Sequence, residues 1–187
     1  MLETTSQGES PVRIRAAEPR DLADITRIQN TFLKTDAIEW TETLHTIEER
    51  ARWMQAQTQR GFPVLLAIDD TSGQTLGWAA YGDFRDTRRW PGYRLTVEHT
   101  IHVDHPAWGR GVGRRLMHAL IEHARGAGVH AMIGGITGEN HASLQFHARL
   151  GFVEVARLPQ VGVKLGRWLD LVLVQKLLDD RVRPENA

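Results

Sequence analysis

The glycine-rich stretch Gly109-Arg110-Gly111-Val112-Gly113-Arg114 has residue types and spacing suited to binding an anion. It lies between an extended run and a strongly amphipathic helical pattern. Glycines allow a ligand to approach the backbone closely. The first turn of a helix presents unpaired N–H groups and the positive end of the helix dipole. Together with the positive charge of the arginines, this combination predicts a site for a pyrophosphate or another phosphate group.

Two other phosphate-binding loops do not fit this stretch. The nucleoside-triphosphate loop requires Lys and then Ser or Thr after its last glycine, whereas two arginines follow Gly113. The dinucleotide pattern G-x-G-x-x-G fails because its third glycine would fall at Leu116 or at Arg114. On glycine content alone, an ordinary flexible helix entry is an equal alternative.

Three further segments carry a family resemblance. Residues 93–103 read Y-R-L-T-V-E-H-T-I-H-V, residues 140–152 read N-H-A-S-L-Q-F-H-A-R-L-G-F, and residues 159–170 read P-Q-V-G-V-K-L-G-R-W-L-D. With the glycine-rich loop, they resemble the GNAT superfamily of N-acetyltransferases, and within it the phosphinothricin and methionine sulfoximine (or sulfone) acetyltransferases. The resemblance extends from Val12 to Leu178. It departs from the family at Trp108, where Gln or Arg is usual, and at His102, where a tyrosine is usual.

The resemblance implies an α+β protein with the GNAT fold, in which a mixed, mostly antiparallel twisted sheet is flanked by about four helices. It implies one domain over residues 12–180, with polar tails at 1–11 and 181–187. It also implies an acetyl-CoA-dependent acyltransferase that moves acetyl directly onto the α-amine of a small amino-acid-like substrate. Such enzymes usually form homodimers, and residues 159–170 are the implied contact region.

The resemblance also implies roles for individual residues. Glu98 is the general base, and His147 is the acid for the leaving thiol. Asn140 lies near the pantetheine arm of the coenzyme, in agreement with helical geometry, because residues 140 and 147 are almost two turns apart and share a face. The complete set of implied coenzyme-binding residues is Ile101, His102, Val103, Gly109, Arg110, Gly111, Val112, Gly113, Arg114 and Asn140.

A fixed arginine is the natural partner of an amino-acid carboxylate. Residues 82–85 read G-D-F-R and resemble the subgroup's G-D-W-R, so Arg85 is the expected carboxylate ligand. About two extra residues follow it, which leaves Arg88 or Arg89 as alternatives. Residues 35–40 resemble the subgroup's T-x-A-I-W with Glu39 inserted, and Trp40 is either a pocket wall or a core residue. The expected substrate-binding residues are Arg85, Asp86, Thr87, Glu98, His99 and Thr100.

Other classes of function are less well supported by the sequence. A zinc enzyme is suggested by the nine histidines, but His99 and His102 would point to opposite faces of a strand, so no metal is expected. A non-catalytic acyl-CoA-binding module remains an alternative, as does a GNAT enzyme that acetylates another small amine or a protein N-terminus. The retained Glu98 and His147 favour an active enzyme.

Composition restricts the partners and the compartment. The 187 residues include 23 basic and 23 acidic side chains and no cysteine. A balanced charge does not favour nucleic acid or an anionic membrane as the main partner. No cysteine nucleophile, disulfide or thiolate metal site is available. The apolar runs are too short to span a bilayer and the first ten residues are polar, so we expect a cytoplasmic protein with a small-molecule amine substrate.

The hydrophobic periodicity predicts the order β-α-α-β-β-β-α-β-α-β-β. We expect a first strand at 12–16 and a helix with an apolar stripe from Leu22 to Phe32. A second helix is expected at 43–59, and strands at 62–68, 76–84 and 94–103. A helix after the glycine-rich loop, a strand at 129–136 and a helix at 140–150 follow. The last two strands are expected at 152–158 and 168–177.

Overall fold

The structure is a computed structural model that describes residues 11–33 and 38–184. Its described part contains seven strands and four α-helices in the predicted order. The strands are β1 (Val12–Ala16), β2 (Val64–Asp69), β3 (Thr75–Asp83), β4 (Thr96–Val103), β5 (Ala131–Thr137), β6 (Val153–Lys164) and β7 (Arg167–Leu177). The helices are α1 (Leu22–Thr31), α2 (Ile47–Gln59), α3 (Val112–Gly126) and α4 (His141–Arg149).

All seven strands form one sheet in the order β1-β2-β3-β4-β5-β7-β6. Every pairing is antiparallel except that of β4 with β5. The predicted mixed, mostly antiparallel sheet is therefore confirmed. The parallel pairing covers only Thr96–Glu98 of β4, although β4 continues to Val103 and β5 to Thr137. The two strands therefore separate into a cleft at the centre of the sheet.

Each face of the sheet has its own apolar core. Helix α3 packs its buried Leu116, Met117 and Leu120 on one face, and α4 adds partly buried side chains there. Helix α1 packs Ile25 and Ile28 on the other face, where α2 contributes only partly buried side chains. Helix α3 thus places the loop before it on one side of the central cleft, and the segment between α1 and α2 lies on the opposite side.

Two predicted boundaries differ from the structure by more than two residues, for identifiable reasons. Helix α2 starts at Ile47 rather than at residue 43, because Thr46 and Glu49 form a reciprocal capping box that ends the preceding irregular segment. Strand β6 continues to Lys164 rather than ending at Leu158. Pro159 is tolerated there because β6 is the edge strand, and its pairing with β7 is irregular between Leu158 and Gly162.

The end of the described chain is anchored. Arg181, which was assigned to a polar tail, donates from Nη2 to the carbonyl of Gly128 at 2.7 Å and from Nε to Asp179 at 2.8 Å. Residues 1–10 and 185–187 lie outside the described residues. Within the described chain, no helix combines the length and the apolar character that crossing a lipid bilayer requires.

Candidate active site

The N–H and C=O groups of alternate residues in β4 point to opposite edges of the strand, one set towards β3 and the other towards β5. Asp104 N–H donates to Leu76 O at 2.9 Å, and Thr96 O accepts from Phe84 N–H at 3.4 Å, so the even-numbered residues of β4 bond to β3. The odd-numbered residues face the cleft with their N–H and C=O groups. Beyond the β5 pairing, these residues are His99, Ile101 and Val103. His102, which was expected to pair with the coenzyme through its main chain, is instead engaged with Trp78 in β3.

One cavity of about 260 Å³ passes through this cleft and reaches both faces of the sheet. On the α1 and α2 side it is lined by Glu39, Trp40 and Glu98. On the α4 side it is lined by Asn140, Ser143 and His147. A ligand that enters from one side can therefore meet a ligand that enters from the other, which is the geometry that group transfer between two molecules needs.

Glu98 is the carboxylate at the closed end of the cleft. Its side chain is exposed at the cavity, and no described residue forms a hydrogen bond or an ion pair with it, so its oxygens are available to a ligand. Although the side chain of Glu98 is exposed at the cavity, desolvation by the surrounding protein raises its pKa, and the positive charge of Arg85 partly opposes this shift. Gly135 provides the space beside it, because a Cβ at this position would lie 3.2 Å from Glu98 Oε1. A free carboxylate with a raised pKa is suited to accepting a proton.

His147 lies on the opposite side of the cleft from Glu98. Its Nδ1 is 2.7 Å from the carbonyl oxygen of Ser143, which can only accept, so Nδ1 carries the proton. Burial lowers the pKa of His147. The ring is therefore held in the neutral form with a bare, buried Nε2, which has no partner among the described residues. In this form the ring presents an acceptor to the cavity and not a donor.

His99 stacks on His147 with the ring centroids 5.0 Å apart. Its side chain is buried on the α4 side of β4, whereas Glu98 and Thr100 point to the other side. Neither ring nitrogen has a hydrogen-bond partner among the described residues. Burial, and then the neighbouring His147, lower the pKa of His99 to about 3. The side chain of His99 thus lies on the same side as α4 and away from the side that carries Glu98.

The segment between α1 and α2 covers the Glu98 side of the cavity. Glu39 Oε1 lies 2.8 Å from His102 Nε2, and Trp40 Nε1 donates to Thr137 Oγ1 at 2.7 Å. The Trp40 ring packs so closely on Gly162 that a Cβ there would overlap it. Trp40 therefore lines the cavity, in agreement with the first of its two predicted positions, a pocket wall or a core residue. Residues 35–37 of the same predicted segment lie outside the described residues.

The glycine-rich loop has the backbone that its sequence predicts. Gly109 and Gly111 have φ of 77° and 74°, values that other residues rarely adopt. Helix α3 begins at Val112 without a side-chain cap, which leaves the first N–H groups open to an anion. A second cavity of about 340 Å³ lies beside them and is lined by Arg110, Gly111, Arg114, Arg115 and His118.

Two side chains of this loop are already engaged within the protein. Arg110 Nη2 lies 2.7 Å from Asp69 Oδ2, so its guanidinium is drawn towards the turn between β2 and β3. The indole N–H of Trp108 donates to Val103 O at 2.7 Å, and its ring stacks on Phe32. Trp108, which stands where Gln or Arg is usual in the family, therefore fixes the loop to the end of β4. Of the cleft-facing carbonyls of β4, that of Val103 is taken by this bond.

The predicted substrate loop is folded on itself. Asp86 pairs with Arg88, and Thr87 Oγ1 accepts a hydrogen bond from Arg60 and donates to Asp83. Neither Asp86 nor Thr87 lines the cavity, and Arg85 is near enough to influence Glu98 electrostatically without lining it. The structure therefore brings Glu98, His99, Thr100, Ile101, His102, Asn140 and His147 together at the cavity, but not Arg85, Asp86 and Thr87.

In the part of the chain that the structure describes, no three His, Asp or Glu side chains lie close enough together to hold a metal ion. Sequence reasoning did not include Glu39, Thr137 or Ser143 among the site residues, although all three line the cavity. Only Glu39 had a signal in the sequence, since it is an extra residue beside a motif that was recognised.

Residues 25–152 match the family model described as Acetyltransferase (GNAT) family. The chain belongs to this family. An L-methionine sulfoximine/L-methionine sulfone acetyltransferase of Salmonella typhimurium is 42% identical over 173 residues, which cover 92% of this chain and 98% of the relative. An L-amino acid N-acyltransferase of Escherichia coli is 41% identical over 172 residues, which cover 92% of this chain and 97% of the relative. The yncA structure from Salmonella typhimurium, which contains its cofactor acetyl-CoA, has a TM-score of 0.88 at 39% identity and covers 94% of this chain and 99% of its own.

These similarities confirm the recognised family, the GNAT fold and the class of enzyme, an acyltransferase. They also agree with acetyl-CoA as the co-substrate, because a GNAT relative with nearly the same fold was solved with it. The residue roles at the cavity are not tested by them and stay predictions.

Proposed function

We propose that this GNAT enzyme transfers the acetyl group of acetyl-CoA to the α-amine of a small amino-acid-like acceptor, such as methionine sulfoximine, methionine sulfone or phosphinothricin. The observation that carries the proposal is the cavity through the cleft, with the carboxylate of Glu98 on one side and the glycine-rich loop before α3 leading to the other. The names of the relatives support this class of acceptor. The cytoplasm is the compartment that the use of acetyl-CoA implies.

Acetyl-CoA would bind along the cleft. Its pyrophosphate would accept hydrogen bonds from the first N–H groups of α3, with Arg114 nearby. Its pantetheine arm would lie between β4 and β5 and bond to the cleft-facing main chain of Ile101 and to the N–H of Val103, with Asn140 beside it. Asn140 also caps α4 by accepting from Ser143 N–H at 3.1 Å, so its orientation is fixed. The thioester would then lie near Glu98.

Direct transfer from the thioester to the amine follows from this arrangement. Glu98 would take a proton from the acceptor ammonium, either directly or through a water molecule, and so free the nitrogen lone pair for attack. A cleft-facing N–H group of β4 would stabilise the negative charge that develops on the thioester oxygen. The chain contains no cysteine, so no cysteine thiol is available to carry the acetyl group.

The role of His147 is best revised. A general acid must carry a proton, whereas the neutral ring of His147 keeps its proton on Nδ1 and offers a bare Nε2. We therefore favour His147 as a positioning residue that accepts a hydrogen bond from the coenzyme. Protonation of the leaving thiolate would then come from the acceptor's own proton or from water.

The size of the cavity favours a small acceptor over a protein N-terminus. Trp40 walls the Glu98 side through its bond to Thr137 and its contact with Gly162. A cavity of about 260 Å³ suits an acceptor of the size of one amino acid. The unpaired Glu98 favours an active enzyme over a non-catalytic binding module.

Coenzyme binding and thiol release test the proposed function. We expect acetyl-CoA to raise the melting temperature, because a ligand at about 100 times its Kd stabilises the folded state by about 2.7 kcal/mol. We also expect release of free thiol with at least one of the three named acceptors, measured with a thiol reagent. A peptide with a free N-terminus serves as the comparison acceptor. Faster release with the peptide, or no thermal shift at saturating coenzyme, would contradict the proposal.

We further propose that the enzyme is a homodimer and that the β6–β7 hairpin forms the contact. Strand β6 is the edge of the sheet, and it exposes Val155, Val161 and Val163, while Trp168 of β7 is 65% exposed. Exposed apolar side chains on an unpaired edge strand are typical of an interface. Parts of the predicted segment 159–170 also contact their own chain, since Leu165 N–H donates to Glu42.

Light scattering after size exclusion tests the dimer. The expected mass is twice the 21.1 kDa of the chain. Replacing Val163 by Glu places a charge in the proposed contact and is expected to give the monomer mass. Val182→Glu introduces the same charge at a fully exposed position outside the hairpin and should remain dimeric. A monomeric wild-type enzyme would exclude this interface.

A further inference from the structure

Glu39 is a second carboxylate of the active-site cavity, and the mechanism described above does not use it. It lines the cavity on the same side of the sheet as Glu98 and Thr100. Both Glu39 and its neighbour His102 depart from the subgroup's motifs, one as an inserted residue and the other as a replacement for tyrosine. The two departures meet in space, with His102 Nε2 2.8 Å from Glu39 Oε1.

The contacts of Glu39 leave one of its oxygens for a ligand. Gln29 Nε2 donates to Oε1 at 3.2 Å, and Gln29 is itself held by Arg50 at 3.0 Å. Oε1 is therefore directed towards His102 and Gln29. Among the described residues, no donor bonds to Oε2. Burial acts to raise the pKa of Glu39, but the neighbouring ring of His102, followed by the other contacts, lowers the pKa overall, so the group is ionised at neutral pH.

The position of Glu39 relative to Glu98 fits the two ends of one small acceptor. Glu98 and His102 are four residues apart on β4, which separates their Cα atoms by about 13 Å. Two carboxylate side chains and one extended amino acid can fill such a span. With the α-amine at Glu98, the end of the acceptor side chain would point towards Glu39. An ionised oxygen without a donor attracts an N–H group and repels a second oxygen.

We propose that Glu39 selects acceptors whose side chain ends in a hydrogen-bond donor or a cation. This inference rests on the proposed function and narrows its substrate class. Methionine sulfoximine and methionine sulfone form a matched pair of probes, because they differ only in an S=NH group, which can donate, and an S=O group, which cannot. A wild-type enzyme with an ionised Glu39 should therefore prefer the sulfoximine.

The test is the ratio of kcat/KM for the sulfoximine to kcat/KM for the sulfone. We expect a wild-type ratio of roughly tenfold or more, as is typical of a hydrogen bond to a charged group. Glu39→Gln keeps the shape but can donate as well as accept, so the ratio should fall to near one. Glu42→Gln is the matched control, because Glu42 lies in the same segment, bonds to Leu165 N–H and does not line the cavity, and its ratio should equal that of the wild type.

The outcomes separate this inference from the proposed function. The wild-type ratio needs no variant to fold, and a value of one or below would overturn the inference while acetylation itself stands. A ratio that is unchanged in Glu39→Gln would do the same. If neither acceptor releases thiol although acetyl-CoA raises the melting temperature, the inference fails, and the proposed function fails with it only if phosphinothricin also releases none.

Discussion

Replacing Glu98 by Gln is expected to lower kcat at least about 100-fold, because positioned proton transfer contributes typically 10² to 10⁴. The amide has nearly the same size and cannot take a proton from the acceptor ammonium. Glu98 lies at the end of the cleft, remote from the glycine-rich loop, so the affinity for acetyl-CoA should stay within about twofold of the wild type. Steady-state kinetics with the best acceptor, together with calorimetric titration of the coenzyme, measures both quantities.

The pH profile of the same variant adds a second readout. Desolvation by the surrounding protein raises the pKa of Glu98 above its usual value, so the wild-type rate should fall as the pH decreases through that raised pKa. This acidic limb should be absent in Glu98→Gln. Glu122→Gln, on the exposed face of α3, is the control for the loss of one carboxylate. It should keep both the wild-type rate and the acidic limb of the pH profile. A Glu98→Gln enzyme with the wild-type rate would remove this residue from the mechanism.

The fold was predictable where the signal is local. The loop at 109–114, the amphipathic α3 and the helix at 140–150 each depend on patterns within short stretches of the sequence, and the structure agrees with all three. The start of α2 was also readable, since Thr46 and Glu49 carry a capping-box pattern. The extension of β6 was not, because Pro159 indicates a strand end unless the strand is known to lie at an edge.

The site was predictable only in part because its decisive contacts join distant segments. Glu98 and His147 could be assigned by resemblance, but which side of the sheet each occupies depends on the separation of β4 from β5. The contact between Glu39 and His102 joins residues 63 positions apart, and no spacing rule connects them. Arg110 was assigned to the coenzyme from its place in the loop, whereas its pairing with Asp69 depends on the turn between β2 and β3.

The free energy of unfolding should depend strongly on pH because of the buried His99. A histidine titrates near pH 6.5 in an unfolded chain, whereas burial holds the pKa of His99 at about 3 in the folded enzyme. Below pH 6.5 the unfolded chain therefore binds a proton that the folded state does not. The stability from this residue is fully present above pH 6.5 and is lost at about 1.4 kcal/mol per pH unit as the pH falls towards 3.

Replacing His99 by Phe should remove this contribution. Phenylalanine retains a ring to stack on His147 and has no ring nitrogens to leave without partners. Between pH 8 and pH 5, the variant should lose about 2 kcal/mol less unfolding free energy than the wild type. Urea unfolding without coenzyme at pH 5, 6, 7 and 8 measures the difference, and the exposed His118→Gln is the control. His147 is also held neutral by burial, so part of the dependence of the unfolding free energy on pH should remain in the variant.

The range from pH 6.5 to 5 isolates the histidines, because carboxylates in unfolded chains titrate near pH 4 and contribute mainly below it. If His99→Phe and the wild type lose stability in parallel over this range, then His99 takes up its proton in the folded state. A protonated His99 would place a positive charge against the stacked ring of His147 and would disfavour a proton there, so His147 would stay neutral in either case. The same unfolding experiment therefore tests whether burial keeps His99 neutral in the folded enzyme, independently of any measurement of catalysis.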